Sequence, residues 1–152
     1  MAAEDYAERL RALGLDVEVR EFPEGTHTAQ DAADAIGCPV AAIVKSLVFT
    51  LDGEPLLALV SGANRVDTAA LGARLGGTLG KADARAVKEA TGYSIGGVPP
   101  LAHARPLRTV VDEDLLALEV LWAAAGTASS VFAIDPADLV RLAGGEVHRV
   151  SA

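Results

Sequence analysis

A mixed β-sheet flanked by helices, in a single domain, is the architecture this chain predicts. Three observations lead there. Helical and strand patterns are interspersed along the chain rather than segregated. One strong hairpin centres on Asp52-Gly53. The 152 residues, 51% of them hydrophobic, supply one sizeable core. Only 4% of residues are aromatic, so that core is built from Ala, Val and Leu. It offers few of the stacking platforms that proteins gripping single-stranded nucleic acid use.

The elements follow in order. Residues 2–13 form an amphipathic helix with Tyr6, Leu10 and Leu13 on one stripe, stopped by Gly14. Residues 16–22 alternate polar and apolar as a half-buried strand does, and Pro23-Glu24-Gly25 ends it. Thr28 is placed to cap a helix running to Ile36; Gly37 closes it and Pro39 forbids continuation. A short turn at 40–42 leads into the strongest strand, 43–51, with 55–61 as its return partner. Asp67 and Asp83 are N-caps for helices to Leu75 and to about Ala90. Strands are expected at 108–111, 119–123 and 130–134, with a turn at Gly126-Thr127. Asp135-Pro136 opens a last helix through Leu142, with proline at its first position, and 146–150 adds an edge strand.

Charge and cysteine content narrow the function. A net charge of −8 repels phosphate backbones at long range, which argues against a general RNA or DNA binder and leaves room only for a small, local contact. The lone cysteine, Cys38, cannot form an intramolecular disulfide, which fits a reducing, cytoplasmic setting. The start Ala2-Ala3-Glu4-Asp5 is acidic and unlike a secretory signal, and no stretch has transmembrane length, so no membrane is expected.

Three segments break a local rule. Lys45 shares a strand face with Leu47, Phe49 and Leu51, so it lies at a pocket wall, snorkels near the strand's start, or sits on a strand that turns its other face inward. In Gly96-Gly97-Val98-Pro99-Pro100, the glycines allow close backbone approach and the prolines stiffen the exit. The N–H groups of Gly96, Gly97 and Val98 could hold an oxyanion, or the run is a stiff connector. The loop Ser61-Gly62-Ala63-Asn64-Arg65-Val66-Asp67 reads mostly as a capped helix start, with Arg65 a candidate phosphate contact. His27, His103 and His148 have no metal-ligand spacing, and no metal or other cofactor is expected.

Together these segments resemble one family. The runs 32–39 and 43–49, then 59–67, then 90–100 with its Gly-x-x-x-Pro loop, then 122–127, are similar in content and order to the blocks of the YbaK/ProRS-associated editing-domain family. The resemblance implies an α+β fold in which a twisted mixed sheet closes partly into a barrel flanked by helices. It implies hydrolysis of the ester joining a wrong, small amino acid to the 3′ end of a tRNA, often tRNA for proline, by a chain acting in trans. It also implies site residues. Lys45 matches the signature lysine at the adenosine end, with Ser46 beside it. Gly96 and Pro100 match the loop that positions the carbonyl, and Gly126 and Thr127 match a pocket turn. Ser129 or Ser130 matches a polar pocket residue, and His27 lies near a position that often carries histidine. The partners implied are the aminoacyl-tRNA 3′ end, with prolyl-tRNA synthetase or an elongation factor for delivery, and no DNA. An aminoacyl ester is already activated, so placing water and stabilising the oxyanion would suffice. The alternatives are a non-catalytic module of the same fold that holds a tRNA end or a synthetase, and a hydrolase of another small acyl ester. A basic patch around Lys45, Arg65, Lys81, Arg85 and Lys88 would argue against the last.

Overall fold

The computed structural model describes residues 3–22, 28–95 and 97–151. The helices are α1 (Ala3–Ala12), α2 (Ala29–Ile36), α3 (Thr68–Leu75), α4 (Ala84–Thr91) and α5 (Pro136–Ala143). The strands are β1 (Val19–Glu21), β2 (Ile43–Leu51), β3 (Glu54–Ser61), β4 (Leu79–Lys81), β5 (Arg108–Asp112), β6 (Leu121–Ala124), β7 (Ser130–Ile134) and β8 (Glu146–His148). Thr28, Asp67, Asp83 and Asp135 each accept a hydrogen bond from a backbone N–H three residues on, so all four expected caps start their helices.

The strands form one sheet in the order β1-β7-β6-β2-β3-β5-β8, with β4 attached to β2. It is mixed: β2–β3, β2–β4, β6–β7 and β1–β7 pair antiparallel, while β2–β6, β3–β5 and β5–β8 pair parallel. The end strands β1 and β8 do not meet, so the sheet is not fully closed. Its inner face still curls around one core. Val44, Leu57, Leu59, Val111, Leu121, Ala123, Phe132 and Ile134 converge there with Tyr6 and Leu10 of α1 and Leu139 of α5. The opposite face of β2 and β3 carries two smaller clusters. Phe49, Leu56, Ala58 and Val60 pack against Leu71 of α3, and Ile43 packs against Ala32 and Ala33 of α2, with Trp122 beside them.

Four details depart from the sequence expectation. β1 is shorter than 16–22, because it is a terminal strand paired only along Val19–Glu21. The strand expected at 119–123 starts at Leu121, because Asp112 caps a 3₁₀ turn over Glu113–Ala117 that delays it. β8 stops at His148 rather than reaching 150, because it pairs with β5 only along Glu146–His148. β4 was not expected at all.

Gly62 fixes how the end of β3 meets this frame. Its N–H donates to Ile43 O at 2.7 Å, and a Cβ there would sit 2.5 Å from Val40 O. Backbone cannot give way as a flexible side chain can. Gly62→Ala is therefore expected to destabilise the fold by about 1–3 kcal/mol, read as a lowered urea midpoint. An unchanged midpoint would contradict this packing.

Candidate functional site

β2 is paired along its whole length with β3 on one edge, but its other edge is shared. β6 covers Ile43 and Val44, and β4 covers Phe49 to Leu51. Among the described residues, no strand pairs with residues 45–48 on that side. A pocket of about 620 Å³ opens at this gap, a size typical of small-molecule sites. Its lining comes from both faces of the sheet. Val44, Ser46, Val48, Val87, Val98 and Ala123 belong to the inner side; Ala32, Ile43, Lys45, Leu47 and Trp122 belong to the outer. The pocket thus sits at the open edge of β2 and is lined from both faces of the sheet.

Lys45 stands on the outer face between the α2 and α3 clusters: β2 turns its other face, with Val44 and Val48, into the main core, and Lys45 lines the pocket wall. Its Nζ donates to Asn64 O at 2.6 Å. That carbonyl is held in turn. Asn64 Nδ2 donates to Asp112 Oδ2 at 2.8 Å and to Asp114 Oδ2 at 2.7 Å, and Ser61 N also donates to Asp112 Oδ2. Asp112 is only 1% exposed, so the loop after β3 is pinned to a buried carboxylate. Partial burial, and then the Arg65 charge, lower the Lys45 pKa, while Asp112 pulls it back up. Because the folded value lies below the ordinary 10.5, protonated Lys45 works against folding at low pH. That cost is relieved as pH rises through the folded pKa.

Opposite Lys45 runs the glycine-proline loop, and ring side chains brace it. His103 Nε2 donates to Pro99 O at 2.7 Å, Tyr6 Oη to Leu101 O at 3.0 Å, and Tyr93 Oη to Ala102 O at 2.9 Å. Arg9 of α1 donates to Tyr93 Oη. Ala102 has φ +62°, a conformation a residue with a Cβ rarely adopts, and the Tyr93 bond holds it there. Burial pushes the His103 imidazole below its usual range and keeps it neutral, with the proton on the nitrogen that faces Pro99.

The expected site residues divide. Lys45, Ser46, Val98 and Thr127 line the pocket. Ser130 lines it too, its Oγ 2.5 Å from Thr127 Oγ1, whereas Ser129 is outside the lining and its carbonyl accepts from Phe22 N. Gly97 packs edge-on against the pocket turn, where a Cβ would meet the Thr127 and Ala128 backbone at 3.2–3.3 Å. Its N–H donates to Ser94 O at 3.0 Å, so the expected oxyanion role of Gly97 is corrected. Of the described loop residues, Val98 keeps its N–H free. Pro100 is buried outside the lining, and Gly126, at φ +87°, packs on Tyr6 and Tyr93. Arg65 is exposed and reaches the site only through its charge on Lys45. Gly96 and His27 lie outside the described residues. Of the five basic residues whose clustering would argue against another small acyl ester, Lys45 and Lys81 meet at the pocket. Arg85 pairs with Glu89 and Lys88 donates to Gly92 O. Sequence reasoning assigned no role to Trp122, Asn64 or Asp112. The only signal for Asn64 and Asp112 was polarity at strand ends.

A split mixed sheet with a lysine-walled pocket at its open edge defines a class of small α+β ligand-binding domain, and the comparisons identify the family. The sequence pattern of the aminoacyl-tRNA editing domain matches residues 23–142, and the chain belongs to that family. It is 41% identical, with a TM-score of 0.93, to a solved structure described as a proposed trans-editing enzyme for prolyl-tRNA synthetase, covering 99% of this chain and 96% of that one. It is 28% identical over 123 residues to YwhH of Bacillus subtilis (strain 168), covering 80% of this chain and 78% of YwhH. It is 35% identical over 101 residues to the proline–tRNA ligase of Maridesulfovibrio salexigens, where the match covers 66% of this chain but 17% of the ligase.

Arg65→Ala is expected to raise the Lys45 pKa toward that of an ordinary lysine, because it removes a like charge while leaving the burial in place. Carbon-detected NMR titration of the Lys45 side chain reads this directly. A midpoint that stays put or falls would show that Arg65 does not act on Lys45.

Proposed function

We propose that the protein is a trans-acting aminoacyl-tRNA deacylase, hydrolysing the ester of tRNA for proline that carries a small wrong amino acid. One observation carries the reading: in a chain of net charge −8, the described pocket lining holds Lys45 and Lys81 and no carboxylate. A negative molecule with a positive pocket suits a short anionic terminus rather than a long nucleic-acid tract. The similarity to a solved protein described as a proposed trans-editing enzyme, over nearly all of both chains, supports action in trans. The inner half of the pocket is small and apolar, walled by Val44, Val48, Val87, Val98 and Ala123, which suits a short amino-acid side chain. The outer half, with Lys45 and Trp122, suits the terminal ribose, phosphate and base.

In this reading water adds to the acyl carbon and the carbonyl oxygen becomes an oxyanion beside the Val98 N–H. The bond from the acyl carbon to the ribose oxygen then breaks. That oxygen leaves as a hydroxyl with the proton from water, and the free amino acid departs. Lys45, fixed by Asn64 O, holds its charge where the terminal nucleotide sits. No buried nucleophile is required, because the ester is already activated.

The test is release of labelled alanine, serine, threonine or cysteine from tRNA for proline, with and without a prolyl-tRNA synthetase supplied. The wild-type chain is expected to release at least one of them, and Lys45→Ala to lower kcat/KM by about tenfold or more. Binding of charged tRNA with no release under either condition would replace the enzyme by a tRNA-end binding module. Neither binding nor release would exclude both.

A further inference from the structure

The gap in the sheet leaves the backbone of Ser46 without a partner. Gly62 N donates to Ile43 O, so the alternation of an antiparallel ladder turns the N–H and C=O groups of Ile43, Lys45, Leu47, Phe49 and Leu51 toward β3. The register agrees, since it sets Pro55, which has no N–H, opposite Thr50. The even-numbered residues therefore point to the other edge. There Val44 meets β6, Thr50 meets β4, and Val48 lies beside the last pair of the β4 ladder. Ser46 meets no strand among the described residues. Its side-chain Oγ is also buried and has no hydrogen-bond partner. Three polar groups of one residue are thus unpaired at the wall of the pocket, where natural structures almost always satisfy such groups.

The width of the gap says what can fill it. β6 ends at Val44 and β4 begins opposite Phe49, so the open edge spans residues 45–48, roughly 13 Å of strand. A polypeptide strand would collide with β4 and β6, but a single extended amino-acid unit would not. An aminoacyl group carries an amine and a carbonyl in the same relation as one strand residue. We propose that Ser46 anchors the aminoacyl group by a one-residue β-bridge. Its C=O accepts from the α-amine, and its N–H donates to the acyl carbonyl oxygen, the reciprocal exchange that joins a hydrogen-bonded antiparallel pair. This inference rests on the deacylase reading. It adds a second backbone donor, beside Val98 N–H, at the oxygen that becomes charged. It also explains why the described lining needs no carboxylate for the amine: the strand edge supplies a neutral acceptor.

Binding, measured apart from turnover, tests it. The probes are two hydrolysis-resistant adenosines, one with a 3′-alanylamino group and one with a 3′-propionylamino group that lacks only the α-amine. Calorimetry on the full chain is expected to give the alanyl probe about tenfold tighter affinity. Ser46→Ala keeps the backbone, so it should weaken both probes alike and preserve the preference. Replacing Ser46 by its α-hydroxy analogue, which deletes only the N–H, should weaken both probes. Equal affinity for the two probes would overturn the proposal. So would loss of the preference in Ser46→Ala, which would hand the amine to the side chain. A chain that binds and discriminates the probes yet releases no amino acid from tRNA would retain the anchor while the deacylase reading fails.

Discussion

The divided edge of β2 is the constraint on which the rest of this molecule depends. β2 is paired with β3 along one edge, yet among the described residues its other edge is covered only at its ends, by β6 and β4. An unpaired strand edge is normally a liability, open to pairing with another chain. Here the flanking strands shorten the open stretch to residues 45–48. Because this slot lies at a strand edge, residues of both sheet faces line it, apolar ones from the inner face and Lys45 from the outer.

Two frames hold the walls of that slot. On the Lys45 side, buried Asp112 gathers Ser61 N and Asn64 Nδ2, and Gly62 lets the loop lie against the 3₁₀ turn at Val40–Ala42. On the loop side, rigidity comes from donors aimed at carbonyls. Pro99 and Pro100 have no N–H to offer, and His103, Tyr6 and Tyr93 supply hydrogen bonds to Pro99 O, Leu101 O and Ala102 O. Tyr6 and Arg9 belong to α1, which precedes the region matched by the editing-domain pattern at residues 23–142. The bracing of the loop therefore extends beyond the part of the chain that carries the family signature.

Local chemistry was legible in the sequence, and relations between distant segments were not. Four helix caps, the Asp52-Gly53 hairpin and the long β2 strand each depend on a few adjacent residues, and each lies where the pattern put it. Lys45 stood out because a lysine interrupted an apolar face. β4 gave no such signal, because Leu79-Gly80-Lys81 is too short for alternation and contains a glycine that weakens any strand pattern. The gap in the β2 edge was invisible for a related reason: it is set by where β6 stops and β4 starts, neither of which is encoded in β2. Asn64 and Asp112 are 48 residues apart, and only the fold shows that one holds the other. The glycine loop shows the converse limit. Its composition advertised free N–H groups, but Gly97 uses its own to close the turn onto Ser94.

In the proposed function, the slot at the β2 edge receives the aminoacylated end of a tRNA. The most direct measurement is an amide NMR titration of the labelled protein with an aminoacylated minihelix carrying a hydrolysis-resistant 3′-amide. Saturable shifts gathered at Val44 to Val48, Gly97-Val98, Trp122 to Ala124 and Thr127-Ala128 are the expected result. Shifts confined to surfaces away from these residues, or no saturable shift at all, would contradict the account.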